Sequence, residues 1–210
     1  IRYTTSHPND MSDELIRAHA DIPQLMPYLH LPVQSGSNKI LRAMNRKHTR
    51  ESYIELIARI KAANPQIAMS GDFIVGFPGE TDKDFEDTMD LIRQVEYASA
   101  FSFKYSKRPG TPAAAMPGQV EDKVADERLK ALQALIIEQQ QDFKAGLVGR
   151  TIDVLFDKRG RHNEQGIGRS PWLHSVFAED AAHLIGQIVP VKIVALGNNS
   201  LQCELIREMA

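Results

Sequence analysis

The sequence predicts an α/β unit with a parallel sheet, followed by a small all-β barrel. Three observations carry that reading. Short apolar runs alternate with helical patterns up to about Gly118, which is the signature of βα units. Those runs end in loops rich in Gly, Pro and Ser, and capping residues open the helices behind them. After Gly149 the helical spacing stops, and short period-two segments separated by glycines take over, as in small barrels.

Taken in order, Ile1–Thr5 reads as a strand, and Asp10 or Ser12 can cap a short helix to about Ala20. Tyr28–Val33 is the second strand. Thr49 caps a longer helix with Ile54, Ile57 and Ile60 near helical spacing. That helix stops before Asn64-Pro65, because the residue before a proline avoids helical dihedrals. Ile67–Val75 is the third strand and runs into the loop Gly76-Phe77-Pro78-Gly79. Thr81 caps the next helix with Asp84 three residues on, a variant of the capping box. Phe85, Met89, Ile92 and Val95 form its apolar face. Ala98–Tyr105 is the fourth strand. Four such strands do not close an eight-stranded barrel, so the sheet is open or lacks strands that would precede Ile1.

Gly110–Gly118 reads as a loop. Glu121–Ala145 is a charged amphipathic helix with Val124, Leu132, Leu135, Ile136 and Phe143 as buried positions, packing on the sheet domain and ended by Gly146. Thr151–Phe156, His174–Phe177, Ile188–Val194 and Leu201–Leu205 are short strands. Gly160, Gly166, Gly168, Gly186 and Asn198-Asn199 read as turns between them. The expected domains are 1–118 for the sheet, 119–145 for the connecting helix and 146–209 for the barrel.

The 210 residues are 42% hydrophobic and 25% charged, with a net charge of −2. That composition supports a folded core and excludes a globally basic nucleic-acid footprint, so any RNA-binding surface is local. No apolar run approaches the length of a membrane span, and the first residues have no signal-peptide core. The expected compartment is the cytoplasm. The single cysteine, Cys203, excludes an internal disulfide and cannot hold an iron–sulfur cluster alone. The opening on Ile1, already inside a strand-like run, predicts a piece of a longer protein.

Candidate chemistry clusters at strand ends, where α/β folds bind ligands. In His30–Ser37, Gln34 and Ser35 offer donors and acceptors, and Gly36 allows close backbone approach; the same residues suit a capped strand-to-helix turn. Arg46 can grip a carboxylate through two parallel hydrogen bonds or be a solvated surface residue. Ile74 and Gly76 lie where a strand enters a glycine loop and could carry a flat heterocycle, while Glu80 suits a helix start. Lys107 and Arg108 follow the fourth strand and could meet phosphate. Lys158, Arg159, Arg161 and Arg169, with Trp172 as an aromatic platform, suit single-stranded RNA on a barrel. The histidines show no zinc spacing, and Cys203 reads as a small buried hydrophobe. No catalytic group and no metal site is evident.

Four segments together resemble the radical S-adenosylmethionine methylthiotransferases. His30–Ser37 with Leu41-x-x-Met44-x-Arg46 resembles their fourth barrel strand and following helix. Asp72–Thr81 resembles the fifth strand, and Tyr105-Ser106-x-Arg108-Pro109-Gly110-Thr111-Pro112-Ala113 the sixth. The tail from about Gly146 resembles a TRAM domain, an OB-like RNA-binding barrel. The resemblance implies the C-terminal part of a partial (βα)6 radical SAM barrel. Gln34-Ser35 resembles the tRNA-modifying branch; the branch acting on a ribosomal protein usually has His after that Gln.

The resemblance further implies methylthiolation of an isopentenylated adenosine beside the tRNA anticodon, by a monomer using an electron donor. It implies two [4Fe–4S] clusters, one of which binds S-adenosylmethionine and cleaves it to a 5'-deoxyadenosyl radical, the other taking part in sulfur delivery. The family's cluster cysteines are absent here, so this chain alone is expected to be inactive. By the same resemblance, Gln34, Ser35, Arg46, Ile74 and Gly76 fall at or near the cofactor, with Arg46 for the methionyl carboxylate and Ile74 with Gly76 for adenine. Arg108, Lys158, Arg159, Arg161 and Arg169 are RNA candidates. The competing expectations are a noncatalytic RNA-binding module and the ribosomal-protein methylthiotransferase.

Overall fold

The computed structural model describes residues 1–4, 7–197 and 199–206. They form two compact units, Ile1–Gln140 and Gln141–Ala210.

Among the described residues, the first unit holds a three-stranded parallel sheet in the order β1-β2-β3. Its strands are β1 (Tyr28–His30), β2 (Ala68–Val75) and β3 (Ser99–Lys104). The helices are α1 (Asp13–Asp21), α2 (Asn38–Ala43), α3 (Arg50–Ala63), α4 (Asp82–Val95), α5 (Pro112–Ala115) and α6 (Asp122–Ala145). Alternation along each strand sorts the side chains by face. Leu29, Met69, Phe73 and Val75 join one core with Tyr53, Ile57, Ile60, Phe85, Met89, Ile92 and Val95 of α3 and α4, and with Leu132 and Ile136 of α6. Within that core the Tyr53 hydroxyl reaches the Leu31 carbonyl at 2.9 Å and the Tyr97 hydroxyl at 2.9 Å, so two buried phenols satisfy each other.

The opposite face of the sheet carries Tyr28, His30, Ser70, Asp72, Ile74, Phe101 and Phe103, by the pairings Asp72↔Phe101 and Ile74↔Phe103. Phe101 is 56% and Phe103 54% exposed. A sheet built for a core on one side is here open on the other.

The predicted caps form. The Thr49 and Ser52 side chains bond each other's backbone N–H at the start of α3, and Thr81 and Asp84 do the same for α4. Ser12, not Asp10, caps α1; Asp10 ends a 3-10 turn at Pro8–Asp10. Of the α6 positions, Leu132 and Ile136 are buried and Val124, Leu135 and Phe143 half-buried. The first expected strand does not form. The Ile1 carbonyl accepts from the Met26 N–H, but Ile1–Thr4 join no ladder. The Tyr3 ring instead turns to α1, with its hydroxyl 2.7 Å from His19 Nε2. Thr5 lies outside the described residues.

The second unit is a closed barrel in the order β4-β5-β6-β8-β7. Its strands are β4 (Thr151–Arg159), β5 (Gly166–Arg169), β6 (Ser175–Ala178), β7 (Ile188–Leu196) and β8 (Leu201–Leu205). Among the barrel's described strands only β6 and β8 pair in parallel. This is the five-stranded Greek-key pattern of an OB-like barrel. Ile152, Val154, Phe156, Val176, Val191, Ile193, Leu201 and Cys203 fill it.

Two expectations fail here. Gly166 and Gly168 are strand residues of β5, not turns. A Cβ on Gly168 would lie 2.5 Å from the Leu155 carbonyl oxygen and 2.6 Å from Val154 Cγ1, so the strand needs glycine for close approach, not for bending. Trp172 is 5% exposed, with Phe143 edge-on at 6.0 Å and the Arg150 guanidinium 5.6 Å from its centroid. It is packed and presents no platform. The Asn198 turn and the domain end at 209 lie outside the described residues; Asn199 is a bend.

Candidate functional site

The carboxyl ends of the parallel strands converge on a cavity of about 530 Å³ lined by Gln34, Ile74, Phe103, Lys104, Tyr105, Ser106 and Arg108. Gln34 reaches it because the chain rejoins the sheet after β1. Its N–H donates to the Asp72 carbonyl at 2.9 Å, and its carbonyl accepts from the Ile74 N–H at 2.9 Å. Gln34 holds a left-handed backbone, with φ of 78°, a strained conformation for a side chain of this kind and one that clusters at binding sites. Phe77 packs edge-on against Tyr105 at 5.2 Å. The buried Tyr105 hydroxyl has no hydrogen-bond partner among the described residues.

The structure thus brings together Gln34, Ile74 and Arg108. Ser35 lies elsewhere: it is fully buried, its hydroxyl 3.3 Å from Thr88 Oγ1. Thr88 Oγ1 also accepts the Gly36 N–H at 2.9 Å. The Ser37 hydroxyl donates to Asp84 at 2.6 Å and Lys39 Nζ meets the other carboxylate oxygen at 2.8 Å. Burial pushes the Asp84 carboxyl up, but the bonds from Lys39, Ser37 and Thr81 outweigh it and hold the group well below the usual carboxylate range. The Ser35–Ser37 segment therefore fastens α4 to the sheet.

Arg46 is half-buried. Burial lowers its pKa, and the Asp72 carboxylate opposes that shift. Asp72 Oδ1 lies 3.6 Å from His30 Nε2, and His30 Nδ1 lies 3.0 Å from the Ser70 hydroxyl. Asp72 and His30 are thus neighbours on the open face of the sheet, and Arg46 lies close enough to feel the Asp72 charge. Neither Asp72 nor His30 stands out in the sequence as a candidate. The available signal was their place at alternate strand positions, polar in runs otherwise apolar.

Gly76 ends β2 with φ of 73°, and its N–H donates to Glu80 Oε1 at 2.9 Å. Burial raises the Glu80 pKa, while that bond and Arg128 pull it back. In the second unit, Lys158, Arg159 and Arg161 are exposed at the end of β4 and in the turn after it. Arg169 on β5 is half-buried, 3.7 Å from the Asp157 carboxylate at the β4 bulge. Burial pushes the Cys203 thiol up to about 12, as expected for an inert core residue.

S-adenosylmethionine fits the cavity's chemistry. Ile74 and Phe103 offer apolar surface to a flat base, and Gln34, Arg108 and the Tyr105 hydroxyl offer polar partners. An iron–sulfur cluster does not fit this chain. Cys203 is its one cysteine, and no group of three or more His, Cys, Asp or Glu among the described residues could hold a metal ion.

Residues 1–92 match the Radical SAM superfamily and residues 146–206 the TRAM domain. The chain is 62% identical over 205 residues to the tRNA-2-methylthio-N(6)-dimethylallyladenosine synthase of Agrobacterium fabrum, a span covering 98% of this chain and 45% of that protein. It therefore spans about half the length of that curated relative. Two solved structures show looser likeness. Coproporphyrinogen III oxidase (HemN) of Escherichia coli is 17% identical at a TM-score of 0.43, covering 67% of this chain and 31% of that one. Methanocaldococcus infernus Elp3 is 13% identical at a TM-score of 0.33, covering 98% and 57%.

Proposed function

We propose, for a chain that joins a Radical SAM superfamily segment to a TRAM domain, that it is the C-terminal part of a tRNA methylthiotransferase. Its substrate is N6-isopentenyladenosine beside the anticodon, and its product the 2-methylthio derivative. The observation that carries the reading is the 62% identity extending over 98% of the chain, through both units, to a tRNA-2-methylthio-N(6)-dimethylallyladenosine synthase.

In this reading the cavity takes S-adenosylmethionine, whose reductive cleavage supplies radical chemistry when the cofactor is bound. Ile74 and Phe103 flank the adenine, and Gly76, packed against Ala125, sets the end of β2 behind them. Gln34 and the Tyr105 hydroxyl bond its polar edges. Arg46 or Arg108 meets the methionyl carboxylate through charge-assisted hydrogen bonds, and Ser35 supports the site from behind. Both [4Fe–4S] clusters hang on cysteines that this chain lacks, so the chain alone does not catalyse the reaction. Arg108 also faces RNA at the cavity rim. Lys158, Arg159, Arg161 and Arg169 contact phosphates of the anticodon stem-loop, on the strands and turn that OB-like barrels use for nucleic acid. The whole enzyme works as a cytoplasmic monomer with a separate electron donor.

The test uses the longer protein that contains this chain, reconstituted anaerobically with both clusters. Incubated with S-adenosylmethionine, a reductant and isopentenylated tRNA, it yields 2-methylthio-N6-isopentenyladenosine by nucleoside mass spectrometry. Cluster-loaded protein that leaves that nucleoside unchanged overturns the reading. Cluster-type visible absorbance in this chain alone, after the same reconstitution, overturns the assignment of the clusters to other segments.

A further inference from the structure

Helix α6, expected to be a connector, touches the loop behind the cavity at successive points. The Gly79 N–H donates to the Gly118 carbonyl at 2.7 Å just before the helix. Ala125 Cβ lies only 2.7 Å from where a Cβ on Gly76 would be. One turn on, Arg128 Nη1 donates to Glu80 Oε1 at 2.8 Å and to the Glu80 carbonyl at 3.3 Å, and Nη2 to Asp82 at 2.7 Å. The guanidinium also sits 5.8 Å from the centroid of the Phe85 ring. The Arg128 and Glu80 side chains are 8% and 2% exposed.

The same Glu80 oxygen that meets Arg128 accepts the Gly76 N–H. A buried carboxylate without a cation either becomes neutral or moves toward water. Either response weakens its hold on the Gly76 amide, because a neutral acceptor bonds less strongly. Gly76 stands two residues after Ile74, which lines the cavity, so the set of its peptide fixes how the end of β2 meets a ligand.

We propose that Arg128 is a positioning residue for the cavity: through Glu80 it fixes the Gly76 peptide, and with it the wall formed by Ile74. The identity of the ligand rests on the proposed function; the positioning itself does not.

The experiment compares Arg128→Met, which keeps the bulk and loses the charge, with Arg128→Lys, which keeps the charge and loses the fork. Both are made in the intact parent enzyme. Hydrogen exchange read by mass spectrometry is expected to speed up in residues 74–81 by about tenfold in Arg128→Met and less in Arg128→Lys, with other strands unchanged. The KM for S-adenosylmethionine is expected to rise by about tenfold, with kcat at saturation falling less than about threefold, and Arg128→Lys recovering part of the loss. Unchanged exchange in 74–81 overturns the proposal. Faster exchange spread through the whole first unit also overturns it, because the role is then structural. Should Arg128→Met not fold, Arg128→Lys decides alone: local loosening with raised KM supports the proposal and wild-type values overturn it. If the parent enzyme does not modify tRNA but the exchange result holds, the functional reading falls and the positioning role stands.

Discussion

At the scale of single residues, backbone and burial decide more than chemical type. Gly76 combines φ of 73° with a neighbour at 2.7 Å from the place of its missing Cβ. Gly76→Ala is therefore expected to destabilise the first unit by about 2 kcal/mol, strain and overlap together. Urea titration checks this, and a midpoint unchanged at constant slope refutes it. Asp84 shows the sign of an electrostatic contribution. Its folded pKa lies below the unfolded value. Its stabilising effect is thus full above the ordinary carboxylate range and is lost as pH falls toward the folded value. Asp84→Asn is expected to cost about 2 kcal/mol at pH 7. The gap between variant and parent should begin to narrow below about pH 4, where the carboxyl is protonated in the unfolded chain while the folded one still holds its charge. Denaturation at pH 7, 5 and 3 reads it, and a gap constant across that range would sink the account.

At the scale of elements, what was legible was what is local. Ser12, Thr49 and Thr81 announce their helices because a cap acts within one turn of its own residue. Ile67–Val75 announces a strand by its apolar run. The first expected strand was misread because Ile1–Thr4 has strand composition but joins no ladder; the backbone bonds at Ile1 go to Gln24 and Met26, in the segment before β1. Strand β5 was missed for the opposite reason. Its glycines signal turns locally, yet their causes are distant: for Gly168 the Leu155 carbonyl and the Val154 methyl across the β4 ladder, and for Gly166 the Ala181 carbonyl and methyl. Gly168→Ala is accordingly expected to destabilise the barrel by about 2 kcal/mol or more through overpacking against backbone. Thermal unfolding followed at Trp172, the chain's single tryptophan and a buried residue of this unit, reports it. A Tm within a degree of wild type would show that β5 can shift to make room. Part of the candidate site was equally beyond local reading. Gln34 and Arg108 are far apart in sequence and share a cavity only because β1 and β3 flank β2.

At the scale of the whole molecule, a net charge of −2 works against a polyanion at long range. The proposed RNA binding must then come from a local concentration of cations, and the barrel supplies one. Lys158 and Arg159 at the end of β4 and Arg161 in the turn after it are all exposed. Arg169 is different in kind, since Asp157 lies 3.7 Å away and already offsets part of its charge. Neutralising the first three together should therefore do more than neutralising Arg169. When three cations no longer meet phosphate, the slope of log affinity against log salt should fall in magnitude by roughly 2 for single-stranded RNA. Arg169→Ala should change it by less than about 1. Affinity should drop alike for an anticodon stem-loop and an unrelated stem-loop, because bonds to phosphate carry no sequence information. The measurement is filter binding by the longer protein that contains this chain, from about 50 to about 300 mM salt, in roughly equal logarithmic steps. A slope unmoved by the triple substitution would take RNA off this edge of the barrel and make Arg108, at the rim of the cavity, the next cation to test.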